Sequence, residues 1–168
     1  MVDYDVEKIW RSMKARCYSS RLKNYEDCIV CEEWLHSYEA FMEWFLNNLY
    51  YCGEQKLELD KDLFSNVKKI YSPETCCLLP KRINVVLAFR KEKFDGLPTG
   101  VYLSNSGKYL TTIHKGIGHL SKTFDTVEEA SEFYKTNKER HIRELALAYK
   151  KYLPAKTFDA LCNYKCAW

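Results

Sequence analysis

Hydrophobic residues recur with helical spacing in two segments of the first 50 residues. In the first segment the apolar residues are separated by four, three and four positions, which places them on one helical face. They are Val6, Trp10, Met13 and Cys17. Asp5 precedes them as a suitable N-cap residue, so we predict a helix that begins near Asp5. A second predicted helix begins after Ser37. We expect its inward-facing residues to be Phe41, Met42, Phe45 and Leu49. Between the two helices, residues 29–31 form a short apolar stretch that we expect to be buried.

The middle of the chain combines a turn with an apolar segment. Ser72 is a good N-cap residue and Pro73 suits the first helical position, so we predict that a short helix begins at Ser72. The segment KRINVVLAFRKEK, residues 81–93, is apolar at its centre and basic at both ends. Residues 95–98, Asp-Gly-Leu-Pro, then interrupt the pattern. We therefore predict two domains, residues 1–94 and residues 95–168.

Three short apolar runs follow Gly100, separated by Ser-Asn-Ser-Gly and Lys-Gly-Ile-Gly. Because Asn and Gly adopt the positive φ angles of tight turns, these runs predict three antiparallel strands. Thr126 and Glu129 form a capping box, and helical spacing continues from Ala130 to Ala148. After Pro154, we predict a last short helix over residues 157–166, with Phe158 and Leu161 on its inward face. The predicted fold class is α+β, with a helical first domain and a three-stranded sheet packed on a long helix in the second.

Composition indicates a folded protein without a membrane segment. The 168 residues are 46% hydrophobic and 15% aromatic, which is enough to form packed cores. The first ten residues, MVDYDVEKIW, lack the basic start and apolar run of an export signal. No segment approaches the roughly 20 apolar residues that cross a bilayer. We therefore expect a cytoplasmic protein with no membrane partner.

Eight cysteines raise the question of disulfides or zinc. In a reducing cytosol, free thiols or metal ligands are the better interpretation. Cys28 and Cys31, and the adjacent Cys76 and Cys77, are the arrangements that suggest zinc. A structural zinc site needs four ligands, usually in two short-spaced pairs, and neighbouring cysteines in an extended chain point to opposite faces. We therefore expect free thiols that serve as small core residues, and no zinc.

The net charge of +3 is unevenly distributed along the chain. Residues 1–95 contain 15 Lys and Arg against 16 Asp and Glu, whereas residues 96–168 contain 11 against 7. A mild basic excess of this kind permits nucleic-acid binding and is equally compatible with an ordinary solvated surface.

Two sets of motifs occur in order along the chain. In residues 10–80 the motifs are Trp10, Met13, Arg16-Cys17, Tyr25, Val30-Cys31, Trp34, Phe41, Trp44, Leu59-Asp60-Lys61-Asp62 and the segment from Tyr71 to Cys76. This part resembles phage HNH-type endonucleases. In residues 100–150 the motifs are Gly100-Val101-Tyr102, Gly107-Lys108-Tyr109, Phe124-Asp125-Thr126 and Glu128-Glu129-Ala130. This part resembles the AP2-type DNA-binding module that follows such nucleases.

The resemblance to HNH enzymes implies a small ββα-metal unit that holds one divalent ion against the scissile phosphate. A histidine base, an asparagine and a further ligand complete such a site, because cleavage needs an activated nucleophile and a cation. The acid of the motif falls on Asp60, but Leu57 and Glu58 stand where the histidine base is expected, and Thr75 replaces the expected asparagine. Asp60, Glu58 and Asn66 are the candidate catalytic residues, and Asp60 and Asp62 the candidate ligands of Mg²⁺.

A structural alternative exists for the same acidic segment. Glu58, Asp60 and Asp62 alternate with Leu59 and Lys61, and three acids on one side of an exposed strand discourage aggregation at a sheet edge. Under this alternative the segment has no catalytic role.

The resemblance to AP2 modules implies that the sheet lies in the major groove of double-stranded DNA. Alternation along the second strand separates Tyr109, Thr111 and Ile113 from Lys108, Leu110, Thr112 and His114, and either face is open to DNA. Arginine, the commonest reader of guanine, is absent from the three strands, so we expect mainly phosphate contacts. The candidate DNA-binding residues are Lys61, Lys68, Lys69, Arg82, Lys108, Tyr109, Thr111, His114, Lys115, His119 and Lys122.

Two functions fit this combination. The first is a phage-type DNA-binding protein related to HNH homing endonucleases, in which phosphodiester cleavage is weak or lost and any activity is Mg²⁺-dependent nicking. The second is a non-catalytic, nuclease-derived inhibitor of a host defence nuclease such as a CRISPR effector, or a regulator, acting through protein–protein contacts. An enzyme with chemistry other than that of a nuclease is not supported, because the chain contains no Gly-rich phosphate loop or nucleophile elbow.

We predict that the purified protein holds no stoichiometric zinc and keeps its fold in a chelator. The reason is the spacing of the cysteines, which does not supply two short-spaced ligand pairs. Elemental analysis together with circular dichroism in EDTA measures both properties. One zinc per chain, with unfolding when it is removed, would contradict the prediction.

Overall fold

A computed structural model of the chain describes residues 3–19, 27–53, 56–65, 69–87, 96–114 and 119–166. Within these ranges the fold is α+β, as predicted, and contains six helices and three small sheets. The helices are α1 (Val6–Tyr18), α2 (Glu32–His36), α3 (Tyr38–Asn47), α4 (Lys81–Leu87), α5 (Val127–Ala148) and α6 (Ala155–Cys162). The strands are β1 (Ile29–Val30), β2 (Leu57–Asp60), β3 (Ile70–Tyr71), β4 (Cys77–Pro80), β5 (Val101–Leu103), β6 (Tyr109–His114) and β7 (His119–Phe124).

The predicted N-caps begin the helices as expected. The Asp5 carboxylate accepts a hydrogen bond from the backbone N–H of Lys8 at 2.9 Å, and the Ser37 hydroxyl accepts one from Ala40 at 3.1 Å. Helix α3 ends at Asn47, however, so Leu49 lies beyond the helix and is exposed rather than inward. The Asn48 side chain donates a hydrogen bond to the carbonyl of Trp44 at 2.8 Å and closes the last turn of α3.

The short helix predicted at Ser72 is wrong. Residues 73–75 form a turn, in which the backbone N–H of Cys76 donates to the Ser72 carbonyl at 3.0 Å. The Thr75 hydroxyl donates to the Ile70 carbonyl at 2.6 Å and accepts from the Ser72 N–H at 3.2 Å. Since β4 begins at Cys77, the chain returns to an extended conformation before a helix can form.

The C-terminal sheet and its helix follow the sequence pattern closely. Strands β5, β6 and β7 are antiparallel in that order, as predicted. The Thr126 hydroxyl caps α5 by accepting from the Glu129 N–H at 3.3 Å. Gly100 has φ +81°, and a Cβ atom there would overlap the ring of Tyr134, so only glycine allows the helix to approach the start of β5 this closely.

Strands β2 and β4 pair into a two-stranded ribbon that separates two hydrophobic clusters. One face contributes Leu57, Leu59 and Leu78 to the N-terminal cluster, whose largest buried side chains are Trp34, Phe41 and Phe45. The other face contributes Cys77 and Leu79 to a second cluster with α4, α5 and α6, formed by Ile83, Leu87, Ile142, Leu145, Ala146 and Leu161. Both faces of the ribbon are therefore in contact with protein.

The second cluster joins residues from both sides of the predicted domain boundary. Ile83 of α4 and Ile142 of α5 are each fully buried in it. The boundary itself, near residue 95, lies outside the described residues, and the division into two domains stays a prediction.

Replacing Ile142 by Ala should destabilise the N-terminal cluster as well as the C-terminal sheet. The side chain is fully buried, and such a truncation typically costs about 2–5 kcal/mol. In a Trp168→Phe background the three remaining tryptophans lie in residues 1–44, so their fluorescence reports the N-terminal part alone. We expect the tryptophan and circular dichroism transitions in urea to shift together. The control is Leu147→Ala, at a residue that is 57% exposed. An unchanged tryptophan transition in Ile142→Ala would show two independent cores.

Candidate functional site

The candidate catalytic segment lies in a compact unit of two strands and a helix. Strands β2 and β4 are antiparallel, with Glu58 opposite Leu79 and Asp60 opposite Cys77. Helix α4 begins directly after β4 and packs against both strands. Because side chains alternate along a strand, Glu58 and Asp60 share the ribbon face that α4 covers. The two candidate acids therefore point into the unit rather than along an open edge.

Asp60 is a buried carboxylate that organises the turn after β2. Its side chain is only 8% exposed, and Oδ1 accepts hydrogen bonds from the backbone N–H groups of Asp62 at 3.1 Å and Leu63 at 2.8 Å. Burial raises the pKa of Asp60 to about 6, although these N–H bonds act in the opposite direction. The alternative of an exposed, acidic sheet edge does not describe β2, because Asp60 is buried and both ribbon faces are covered.

Lys61 and Asp62 form an ion pair beside Asp60. The Lys61 ammonium lies 2.6 Å from Oδ1 of Asp62 and 5.7 Å from the ring centre of Tyr71. The Lys61 side chain is 8% exposed and that of Asp62 is 63% exposed. Lys61, a predicted phosphate contact, is thus placed inside the protein with its charge paired, and it does not belong to the basic surface.

Glu58 is held by a residue that the sequence analysis missed. The Asn84 side-chain amide, on α4, donates a hydrogen bond to Oε2 of Glu58 at 2.8 Å. Asn84 stands between Ile83 and Val85 as a polar residue in an apolar stretch, and this interruption is the sequence signal that the analysis did not use. The pair connects the helix of the unit to its first strand through a side-chain hydrogen bond.

The acids of this unit do not assemble a set of metal ligands within the described ranges. No three His, Cys, Asp or Glu side chains there converge closely enough to hold a metal ion. Lys61 already provides the positive charge beside Asp62, and one oxygen of Asp60 is occupied by backbone N–H groups. Asn66 lies outside the described residues. Mg²⁺ binding at Asp60 and Asp62 therefore stays a prediction.

The structure decides which face of the C-terminal sheet points outward. Thr111 and Ile113 are buried, and the Thr111 hydroxyl donates to the Gly100 carbonyl at 2.9 Å. Thr111 was a candidate DNA contact, but it packs on the side of α5, together with the half-buried Tyr109. The opposite side, which we call the outward face, carries Tyr102, Leu110, Thr112, His119, Ser121 and Thr123.

Hydroxyl groups and one aromatic ring dominate the outward face. The Thr112 and Ser121 hydroxyls lie 2.8 Å apart across β6 and β7, and Tyr102 is 42% exposed. Ser121, Thr123 and His119 are exposed. In the register of the sheet His114 is the partner of His119.

The basic residues that were predicted to contact DNA lie beside the outward face or in other parts of the protein. Lys108 forms an exposed ion pair with Asp125 at 2.8 Å. The Lys122 ammonium lies 5.1 Å from the ring centre of Phe124, on the α5 side of β7. Lys69 pairs with Asp27 at 3.3 Å in the N-terminal part, where Arg82 is exposed at the start of α4. Lys68 and Lys115 lie outside the described residues.

Comparison of the chain with protein-family models, with curated proteins and with solved structures finds no match in any of the three. Among the residues that the structure describes, no helix combines the length and the apolar character that a membrane-spanning segment requires.

Replacing Asp60 by Asn should remove one component of the pH dependence of folding. The pKa of Asp60 rises from 3.8 to about 6 in the folded protein, so the native state binds this proton more tightly than the unfolded chain does. Its stabilising contribution is complete below about pH 4 and is lost as the pH rises through 6. The total is on the order of 3 kcal/mol.

Asp60→Asn keeps an oxygen for the two backbone N–H groups and carries no charge. Its free energy of unfolding in urea should exceed that of the wild type at pH 7 and converge with it near pH 4. Asp159→Asn, on the exposed side of α6, is the matched control. If the free energies of unfolding of Asp60→Asn and the wild type change in parallel with pH, Asp60 is not buried in its charged form.

Proposed function

We propose that the protein binds double-stranded DNA through the outward face of the C-terminal sheet. The observation that carries this proposal is the placement of Tyr102, Thr112, His119, Ser121 and Thr123 on one exposed side of a sheet that α5 supports from behind. A three-stranded sheet backed by a 22-residue helix is a rigid platform, and the rigidity lowers the entropic cost of ordering its contacts on binding.

The chemistry of this face suits a nucleic acid. Hydroxyl and imidazole groups donate and accept hydrogen bonds to phosphate oxygens and base edges, and strands can enter the major groove. The basic excess of residues 96–168 supplies the sequence-independent attraction to phosphate. Because the outward face carries no arginine among its described residues, readout of guanine is weak and sequence specificity is modest.

The β2–β4–α4 unit supports a related but non-cutting role. Two antiparallel strands followed by a helix, with Glu58 and Asp60 on the face toward that helix, support a comparison with the ββα unit that the HNH resemblance implies. Phosphodiester cleavage requires a base poised near neutral pH, and no histidine lies between His36 and His114. Asp60 is buried and bonded to the backbone, and Glu58 is bonded to Asn84. We therefore propose that cleavage is weak or lost, and that any remaining activity is Mg²⁺-dependent nicking.

A second candidate function is inhibition of a host defence nuclease, or regulation, by protein–protein contact. The observation that favours it is a group of exposed apolar residues at the end of α3 and just beyond it, in which Leu46 is 53%, Leu49 is 37% and Tyr51 is 75% exposed. The Tyr51 ring meets Tyr152 edge to face, with 6.0 Å between centroids. Exposed aromatic groups of this kind often contribute to protein interfaces.

Ser121→Glu should weaken DNA binding, whereas Thr136→Glu should not. Both residues are exposed and both changes add one negative charge, but Ser121 lies on the outward face and Thr136 lies on the helix behind the sheet. We expect a loss of roughly tenfold or more for Ser121→Glu, because the new carboxylate faces phosphates. Gel-shift titrations at two salt concentrations measure the effect.

Equal loss in the two variants would indicate a general charge effect, and no loss in either would exclude the outward face as the DNA contact. A plasmid-nicking assay with and without Mg²⁺ belongs beside the titrations. Binding without nicking agrees with the proposed function. Efficient nicking that Asp60→Asn abolishes would establish an enzyme, and the absence of DNA binding at low salt would favour the protein-contact function.

A further inference from the structure

Two free thiols meet where the end of α1 faces the start of β1. Cys17 lies in the last turn of α1, and Cys28 directly precedes β1. Both are reduced, and their Sγ atoms are 3.2 Å apart. This distance is a hydrogen-bonding contact, and it exceeds the length of a disulfide bond by only about 1 Å.

One hydrogen bond joins α1 to β1, and a second joins α1 to β3, the strand that pairs with β1. The backbone N–H of Val30 in β1 donates to the Tyr18 hydroxyl at 3.1 Å. The Arg16 guanidinium donates to the Tyr71 hydroxyl, in β3, at 3.3 Å. Because these bonds flank Cys17 on both sides in the sequence, the thiols are kept close by the fold rather than by their own contact.

The environment makes the two thiols chemically unequal. Cys17 donates its hydrogen to the sulfur of Cys28. This bond lowers the pKa of Cys28, and the positive charge of Lys61 lowers it further, against the effect of burial. The same bond, together with burial, raises the pKa of Cys17. Cys28 is therefore the thiol that becomes nucleophilic, and Cys17 is the neighbour that responds to it.

We propose that Cys17 and Cys28 form a reversible disulfide when the protein meets hydrogen peroxide. The Cys28 thiolate attacks one peroxide oxygen, the O–O bond breaks, and Cys28 becomes a sulfenic acid while the leaving hydroxide takes a proton to form water. Cys17 then attacks the Cys28 sulfur, and the sulfenic oxygen leaves as a second water with the Cys17 proton. Two thiols and one peroxide give one disulfide and two waters, and a dithiol reductant reverses the change.

The two thiols also differ in exposure. Cys28 is 2% exposed, whereas Cys17 is partly exposed at the surface of α1. Hydrogen peroxide is close to water in size, so it is less hindered by this burial than a larger oxidant is. The product joins α1 to β1 covalently across the 11-residue separation of the two cysteines. Closing this loop restricts the unfolded chain, so the oxidised protein should melt several degrees higher.

The experiment treats the full chain with hydrogen peroxide, blocks the remaining thiols, and maps the peptides by mass spectrometry without reduction. We expect a cross-linked pair of peptides that carry Cys17 and Cys28, the loss of two hydrogen atoms from the intact mass, and full recovery in dithiothreitol. The melting temperature should rise on oxidation and return on reduction. Cys162→Ser, which removes a thiol of α6, should behave like the wild type.

Two variants test the assignment of roles. In Cys17→Ser the reaction should stop at a sulfenic acid on Cys28, which dimedone traps, whereas Cys28→Ser should give no dimedone adduct at residue 17. Lys61→Met should slow peroxide consumption several-fold without changing the site. The proposal is overturned if the wild type keeps all eight thiols under these conditions, or if Cys17 or Cys28 pairs with another cysteine. Trapping of Cys17 instead of Cys28 would reverse the assigned roles and contradict the proposed mechanism.

Discussion

Burial of the β2–β4 ribbon on both of its faces is the constraint on which the rest of the structure depends. An isolated two-stranded ribbon is marginally stable in water, so it must be covered by other elements. Leu57, Leu59 and Leu78 bring the N-terminal helices to one face, and Cys77 and Leu79 bring α4, α5 and α6 to the other. The ribbon is thus the wall that two hydrophobic clusters share.

This position explains why the acids of β2 have the partners that they have. Glu58 and Asp60 face the α4 side, where an uncompensated carboxylate is costly. Asn84 satisfies Glu58, and two backbone N–H groups satisfy Asp60. Each acid is consequently part of the packing of the ribbon. One carboxylate oxygen of each acid is engaged in holding the strand, the turn and the helix together.

The C-terminal sheet has the opposite character, because only one of its faces is used for packing. Thr111, Ile113 and Val101 are buried toward α5. The outward face carries hydroxyl side chains, a tyrosine, a leucine and a histidine, and the Thr112 and Ser121 hydroxyls lie 2.8 Å apart on it. The protein therefore combines a ribbon that is covered on both faces with a sheet that packs against α5 on one face.

Local physical chemistry was sufficient to predict several elements from the sequence. Helices α1, α3 and α5 and the three C-terminal strands follow from residue spacing, N-caps and turn residues, since each of these signals acts within a few residues. The turn at Ser72 shows the limit of such signals, because a good N-cap followed by proline is also compatible with a single turn when a strand begins at Cys77.

The sequence by itself determined the α+β class, the order of most elements and the segment in which the acids lie. Only the tertiary structure decided that Asp60 is buried, that Thr111 faces α5, that Asn84 meets Glu58 and that Cys17 lies beside Cys28. The reason is the separation in sequence: Glu58 and Asn84 are 26 residues apart. Periodicity places a side chain on a face, but only the packing of distant elements determines what covers that face.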